Sequence, residues 1–220
     1  MNQKFVSNNN TVINENAIET EIRRIIDQGP IVKNIFELVQ VSEDEVRKLV
    51  KSLKYTAGGH DNVTAKMIKM VIPFSITAIT NIINSSLVSG NFPSQWKNAL
   101  VIPIPKIANP REPGDFRPIS LLPTLSKILE KVVAVQVLHF LTENNLLEQL
   151  QSGLKIKHST GTALLKIMDD IFSAIDASEV CLMVLLEAFD TVNHKLLLTK
   201  LMYMGFNDSA LNWFGSYLSI

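Results

Sequence analysis

The sequence predicts an α+β fold, rich in helix, with a β-hairpin region and one central buried strand. Three observations carry this expectation. Apolar residues recur at helical spacing between 124 and 142. A β-rich, proline-edged stretch runs from Ala99 to Pro105. Seven consecutive apolar residues, Val180 to Leu186, read as a strand buried on both faces.

Each element has its own signal. Residues 1–40 read as a linker with some helix near Glu15 to Asp27. Ser42-Glu-Asp-Glu45 opens a helix as a capping box, a Ser with Glu three residues later. Ala57 to Asn62 is a turn by composition. A short helix follows near Thr64 to Met70, and a longer one from Phe74 to Val88, with Pro73 between them. The prolines of 103–118 place the Ala99 stretch at a sheet edge or in a hairpin. Leu125, Ile128, Leu129, Val132 and Val133 mark one buried helix face. Ser159 or Thr160 caps the next helix, to about Ile175. After the Val180 strand, two helices cover roughly 195–204 and 209–218.

Composition bounds the function. A chain of 220 residues with 46% hydrophobic residues suits a globular protein. Net charge is zero, which weakens a nucleic-acid reading, since phosphate contacts supply most of that affinity. From Lys97 to Lys131, however, six basic residues face three acidic ones, a surplus of three. Cys181, the single cysteine, lies within the expected strand and implies no disulfide. No signal peptide opens the chain, and the charge-free run 70–96 is interrupted too often for a membrane span. The expected location is therefore intracellular, nucleus or cytoplasm. The four histidines lack zinc spacing, and no Walker or Rossmann glycine pattern occurs.

Several segments form an ordered series. Val41 to Lys54 precedes Gly59-x-Asp61-x-Val63. Phe92-Pro-x-x-Trp96-Lys97-x-Ala99-x-Val101-x-Pro103-x-Pro105-Lys106 comes next, then Asp115-Phe-Arg-Pro-Ile-Ser-Leu-Leu122 and Ser126-Lys127-x-x-Glu130-Lys131. Gln151-x-Gly153-Leu154-Lys155, His158-Ser159-Thr160, Ala188-Phe189-Asp190 and Gly205-Phe206 through Trp213-Phe214-x-Ser216-Tyr217-Leu218 complete it. The series resembles the reverse transcriptase domain of non-LTR retrotransposons, the jockey-like branch especially. The resemblance covers residues 41–220 and implies a partial fingers and palm, lacking the family's Tyr- or Phe-x-Asp-Asp hairpin and thumb. Its first catalytic motif looks damaged: Leu186 runs straight into Glu187-Ala188-Phe189-Asp190, where the family carries an aspartate at the strand end.

Chemistry then distributes roles. A pyrophosphate leaving group calls for fixed positive charge, and Lys106 and Arg117 on a stiff hairpin would supply it. By resemblance they face the incoming nucleotide's phosphates; alternatively they are two solvated surface charges. Phe189 resembles the bulky residue against the sugar 2′ position, or else is a core aromatic. Gln151 and Lys155 resemble template- or nucleotide-proximal residues, and a capped loop explains them equally. Glu187 and Asp190 are the only acids near the strand end, and Asp190 also suits a helix cap. Two-metal catalysis needs carboxylates converging on ions about 3.5–4 Å apart. Mg2+ is the ion expected for the family, but no residue is assigned to it and the chain is expected to be inactive. Met168-Asp169-Asp170 mimics the missing acidic pair but falls within a helical pattern, its acids opposite the apolar stripe. RNA template and DNA primer are the partners the resemblance implies. The alternative is a weak RNA-, DNA- or partner-binding module without enzymatic activity.

Overall fold

The computed structural model describes residues 15–28, 31–55, 57–147, 153, 158–183 and 192–219. Helices α1 (Glu15–Gln28), α2 (Glu43–Ser52) and α3 (Ala65–Ser89) precede a hairpin of β1 (Leu100–Pro105) and β2 (Phe116–Leu121). Helices α4 (Thr124–Glu143), α5 (Thr160–Asp176), α6 (His194–Tyr203) and α7 (Asp208–Leu218) follow. The helix-rich α+β class is as the sequence predicts.

The capping box at α2 is present in full. The Ser42 hydroxyl accepts from the Glu45 N–H, and the Glu45 carboxylate accepts from the Ser42 N–H at 2.8 Å. Those contacts from Ser42 hold the Glu45 carboxyl below its ordinary range. Val46 and Val50 on the opposite face enter the core.

The chain between Thr64 and Ser89 departs from expectation. Instead of two helices broken at Pro73, there is one of 25 residues with Pro73 inside it. A proline in a helix interior costs about 3 kcal/mol, since it removes an N–H and crowds the preceding turn. Ile68, Ile72, Ile76, Ile79, Ile83 and Leu87 line one buried stripe along the helix. Each such side chain stabilises by roughly 1.5–3 kcal/mol on burial, so the stripe outweighs the proline. Pro73 itself sits on the exposed side. By length and composition α3 could cross a membrane, but it buries that stripe as a core helix does.

Ile128, Leu129, Val132 and Val133 of α4 and Ala210 and Trp213 of α7 close the core over α3. Trp213 Nε1 donates to Ser86 Oγ at 3.1 Å, and Ser86 Oγ donates to the Asn91 carbonyl at 2.6 Å. The Trp213 and Ser86 polar atoms are thus paired, whereas Thr80 Oγ1, also buried on α3, has no hydrogen-bond partner among the described residues. The segment 31–41 crosses the turn between α6 and α7. Phe36 donates to the Gly205 carbonyl (2.8 Å), and Asn207 donates to the Phe36 carbonyl (3.0 Å). Gly205 has φ +92°, and a Cβ there would stand 2.6 Å from the Asn34 carbonyl oxygen. Only glycine fits this crossing.

The expected central strand is a second departure. Val180–Met183 belongs to no strand; Val180 is 97% and Leu182 84% exposed, and Cys181 is exposed rather than in the core. Residues 184–186 lie outside the described residues. A strand becomes buried only when neighbours pair its edges. Among the described residues the hairpin is the only sheet.

Candidate nucleic-acid interface

The hairpin pairs Leu100 with Leu121 through Pro105 with Phe116, antiparallel. The Lys106 N–H donates to the Asp115 carbonyl at 2.7 Å, continuing the ladder. Bonded pairs alternate in such a ladder. Ile104–Arg117 and Ile102–Ile119 are therefore bonded pairs, and Pro103–Pro118 and Pro105–Phe116 are not. The three prolines occupy positions whose amides would point outward, so no ladder bond is lost. They also strip donors from both edges, which discourages a third strand.

Register decides which side chains meet. Residues two apart share a face, so Ile102, Ile104 and Lys106 stand with Ile119, Arg117 and Asp115. Lys106 is diagonal to Arg117, about 7–8 Å away by the usual cross-strand spacing. Both are exposed, and neither forms an ion pair among the described residues. Asp115, opposite Lys106 in the register, feels the Lys106 charge but is held mainly by backbone amides. Asp115 accepts from the Glu112 N–H (2.9 Å) and the Arg111 N–H (2.8 Å), which hold its carboxyl below the ordinary range. Glu130 is likewise withdrawn: half-buried on α4, it accepts from Ser126 Oγ (3.2 Å) and Tyr217 OH (3.4 Å). Burial pushes its carboxyl up against those hydrogen bonds, and pushes the Tyr217 phenol up to about 12.

One loop braces the hairpin root, a role the sequence reading did not assign. Gly59 passes so close to the exit of β2 that a Cβ would stand 2.6 Å from Pro123 N. His60 Nδ1 lies 3.0 Å from the Asn98 carbonyl, just before β1. Thr124 Oγ1 donates to the Val63 carbonyl at 2.5 Å. The Gly58-Gly59 pair is the signal that marks such a close approach.

Of the remaining candidates, Gln151, Lys155, Glu187, Phe189 and Asp190 lie outside the described residues. Asp169 and Asp170 stand on α5, where Lys166 pairs with Asp170 at 2.5 Å. That is a helix-surface pair rather than a hairpin acid pair. Among the described residues no group of three or more His, Cys, Asp or Glu could hold a metal. They do not fit a two-metal centre, and no chemical step is assigned to Mg2+ here.

A helix-rich α+β chain presenting this hairpin has the architecture of partial reverse-transcriptase fingers and palm. The chain belongs to the reverse transcriptase (RNA-dependent DNA polymerase) family, whose model matches residues 104–220. It is 33% identical over 163 residues to the probable RNA-directed DNA polymerase from transposon X-element of Drosophila melanogaster. It is 35% identical over 162 residues to that from transposon BS, and 30% over 168 residues to the RNA-directed DNA polymerase from mobile element jockey, in the same fly. These matches take in 72%, 71% and 74% of this chain but only 18% of each relative. The resemblance to non-LTR retrotransposon reverse transcriptases is borne out.

Proposed function

We propose that this chain is the nucleotide- and template-facing part of a mobile element's RNA-directed DNA polymerase, and that by itself it does not polymerise. The observation that carries the first half is the hairpin face. Lys106 and Arg117 share it, exposed and free of ion pairs among the described residues. Two fixed cations on a proline-stiffened ribbon suit triphosphate oxygens, where charge grows as pyrophosphate leaves. Support for the second half comes from sequence: Leu186 is followed directly by Glu187-Ala-Phe-Asp190, without the family's aspartate. Reverse transcriptases generally use divalent metal; in this reading no residue of the chain holds Mg2+, and Glu187 and Asp190 are the weak candidates for what remains of the catalytic motif. Phe189 against the sugar, and Gln151 and Lys155 beside the template or the nucleotide, extend the same reading.

Primer extension on an RNA template, in Mg2+ and then Mn2+, tests the second half. No incorporation by the folded chain is the expected result; incorporation abolished by Glu187→Ala or Asp190→Ala would overturn it. Binding of a primer–template duplex tests the first half. Lys106→Ala with Arg117→Ala should weaken binding and flatten its log–log salt dependence by about 1–2 units. An unchanged slope would leave the two residues as solvated charges.

A further inference from the structure

Helices α6 and α7 leave a gap between them. On α6, Lys195, Leu198, Thr199 and Met202 recur at spacings of three and four, which is one helix face. Leu211, Asn212, Gly215 and Ser216 do the same on α7. Between these faces, and lined also by Ser89 and Asn91 at the end of α3, lies a cavity of about 750 Å3. Gly215 widens it. A Cβ there would meet only Leu198 Cδ1, at an ordinary 3.9 Å, so no clash accounts for the missing side chain. The lining divides by chemistry. Leu198, Met202 and Leu211 form its apolar part. Lys195 is its one charged residue among those described, exposed and in no ion pair among them, and no acid joins it. Ser216 Oγ accepts from the Phe92 N–H at 3.0 Å, which leaves its own proton free to donate. Ser219 Oγ donates to the Ser216 carbonyl at 2.9 Å and accepts from Lys97 Nζ at 3.0 Å. The Lys97 ammonium thus stands directly behind a lining residue and adds positive potential.

We propose that this cavity binds a small aromatic carboxylate, its ring against Leu198, Met202 and Leu211 and its carboxylate on Lys195. The Ser216 hydroxyl and the Asn212 amide are the further donors the lining offers to that carboxylate. Lys97 is engaged with Ser219, so one free ammonium remains, and it balances one negative charge. A monoanion fits that balance better than a doubly charged phosphate. The hydrogen bond from an ammonium to a carboxylate is of the strong, charge-assisted kind. Size agrees: small-molecule sites run from roughly 300 to 1,000 Å3. From Lys195 to Met202 the helix rises roughly 10 Å, room for a two-ring acid. The occupant touches three elements far apart in the chain, so it ties the end of α3 to α6 and α7. Because it binds the folded chain alone, it stabilises the fold by mass action. The site does not rest on the hairpin reading, since neither Lys106 nor Arg117 lines it.

The test is isothermal titration calorimetry of the full chain with naphthoate near neutral pH. Naphthalenemethanol supplies the ring without the charge, and acetate the charge without the ring. Naphthoate should bind one to one, and each partial probe at least about tenfold more weakly. Lys195→Gln should weaken naphthoate roughly tenfold and leave naphthalenemethanol unchanged. Asn212→Trp brings an indole into the cavity from an exposed position and should abolish both. Naphthoate should also raise the Tm of wild type and not that of Asn212→Trp. Both substitutions are at exposed positions, and circular dichroism confirms that each variant folds. Should Asn212→Trp not fold, Lys195→Gln decides alone. Naphthoate that binds no more tightly than naphthalenemethanol, or equally well to Lys195→Gln, would overturn the proposal. Binding that survives in a folded Asn212→Trp chain puts the ring elsewhere, as on the exposed apolar side chains of α5, and the proposal fails. It fails equally if wild type takes up no naphthoate at millimolar concentration.

Discussion

Helix α4 buries Ile128, Leu129, Val132 and Val133 to 3% exposure or less, whereas α5 leaves Leu164, Leu165, Phe172 and Ile175 between 57 and 72% exposed. Both helices carry an apolar stripe at helical spacing. The difference lies in what surrounds them. Helix α4 packs on α2, α3 and the turn at Ser94–Lys97; α5 has no comparable neighbour among the described elements. Periodicity announces a face, and only the rest of the fold provides its partner.

The largest test of that contrast is Trp213→Ala. The indole is 2% exposed, and Phe92, Phe214 and Tyr217 all lie within 5.5 Å of it, centroid to centroid. Removing it should cost about 3–5 kcal/mol, read as a lower urea midpoint with an unchanged slope. A loss below about 1 kcal/mol would mean that the core does not close over α7 as described.

Next comes Gly205→Ala. Its φ of +92° carries a penalty of about 1–3 kcal/mol for a residue with a Cβ. The Asn34 carbonyl blocks any easy escape. Hydrogen exchange should report lost protection at the Phe36 and Asn207 amides, which bond across this crossing. Unaltered protection would separate the 31–41 segment from the core and put it closer to α5 in character.

A pH series gives a smaller effect inside the same core. Glu130 has its pKa raised by burial, so the folded state holds that proton more readily than the unfolded chain. Its contribution is fully present below the ordinary value near 4.5 and is lost as pH rises through the raised value. Glu130→Gln should remove this loss while keeping acceptors for Ser126 and Tyr217. The tyrosinate absorbance of Tyr217 should emerge only near pH 12, above its ordinary 10.0. Stability that instead climbs with pH above 4.5 in wild type, and not in Glu130→Gln, would reverse the assignment.

These regions also divide what the sequence reveals. Local chemistry was legible: the Ser42 and Ser159 caps depend on residues three apart and both form. The β hairpin was legible because prolines confine a strand to an edge or ribbon. Two features depended on distant contacts and were misread. Pro73 reads as a break until the buried stripe of α3 is seen to outweigh it. Val180 to Leu186 reads as buried because apolar runs usually are, yet Val180–Met183 lies exposed. The interface followed the same rule. Lys106 and Arg117 could be named one by one, but their common face required the register.

The smallest expected effect is the sharpest on the opening contrast. Phe172 is 57% exposed on α5, so Phe172→Ser removes an aromatic ring from water rather than from a core. Exposed substitutions of this kind shift stability by no more than about 0.5 kcal/mol, apart from helix propensity, which separates these two residues little. Solubility should rise instead, since a stripe of large apolar side chains in water favours association. The same substitution at Leu129, fully buried on α4, would unfold a marginal domain. Should Phe172→Ser destabilise the monomer by 2 kcal/mol or more in urea, α5 has a partner within this chain. The exposed stripe would then be no stripe at all, and α4 and α5 would differ in degree rather than in kind.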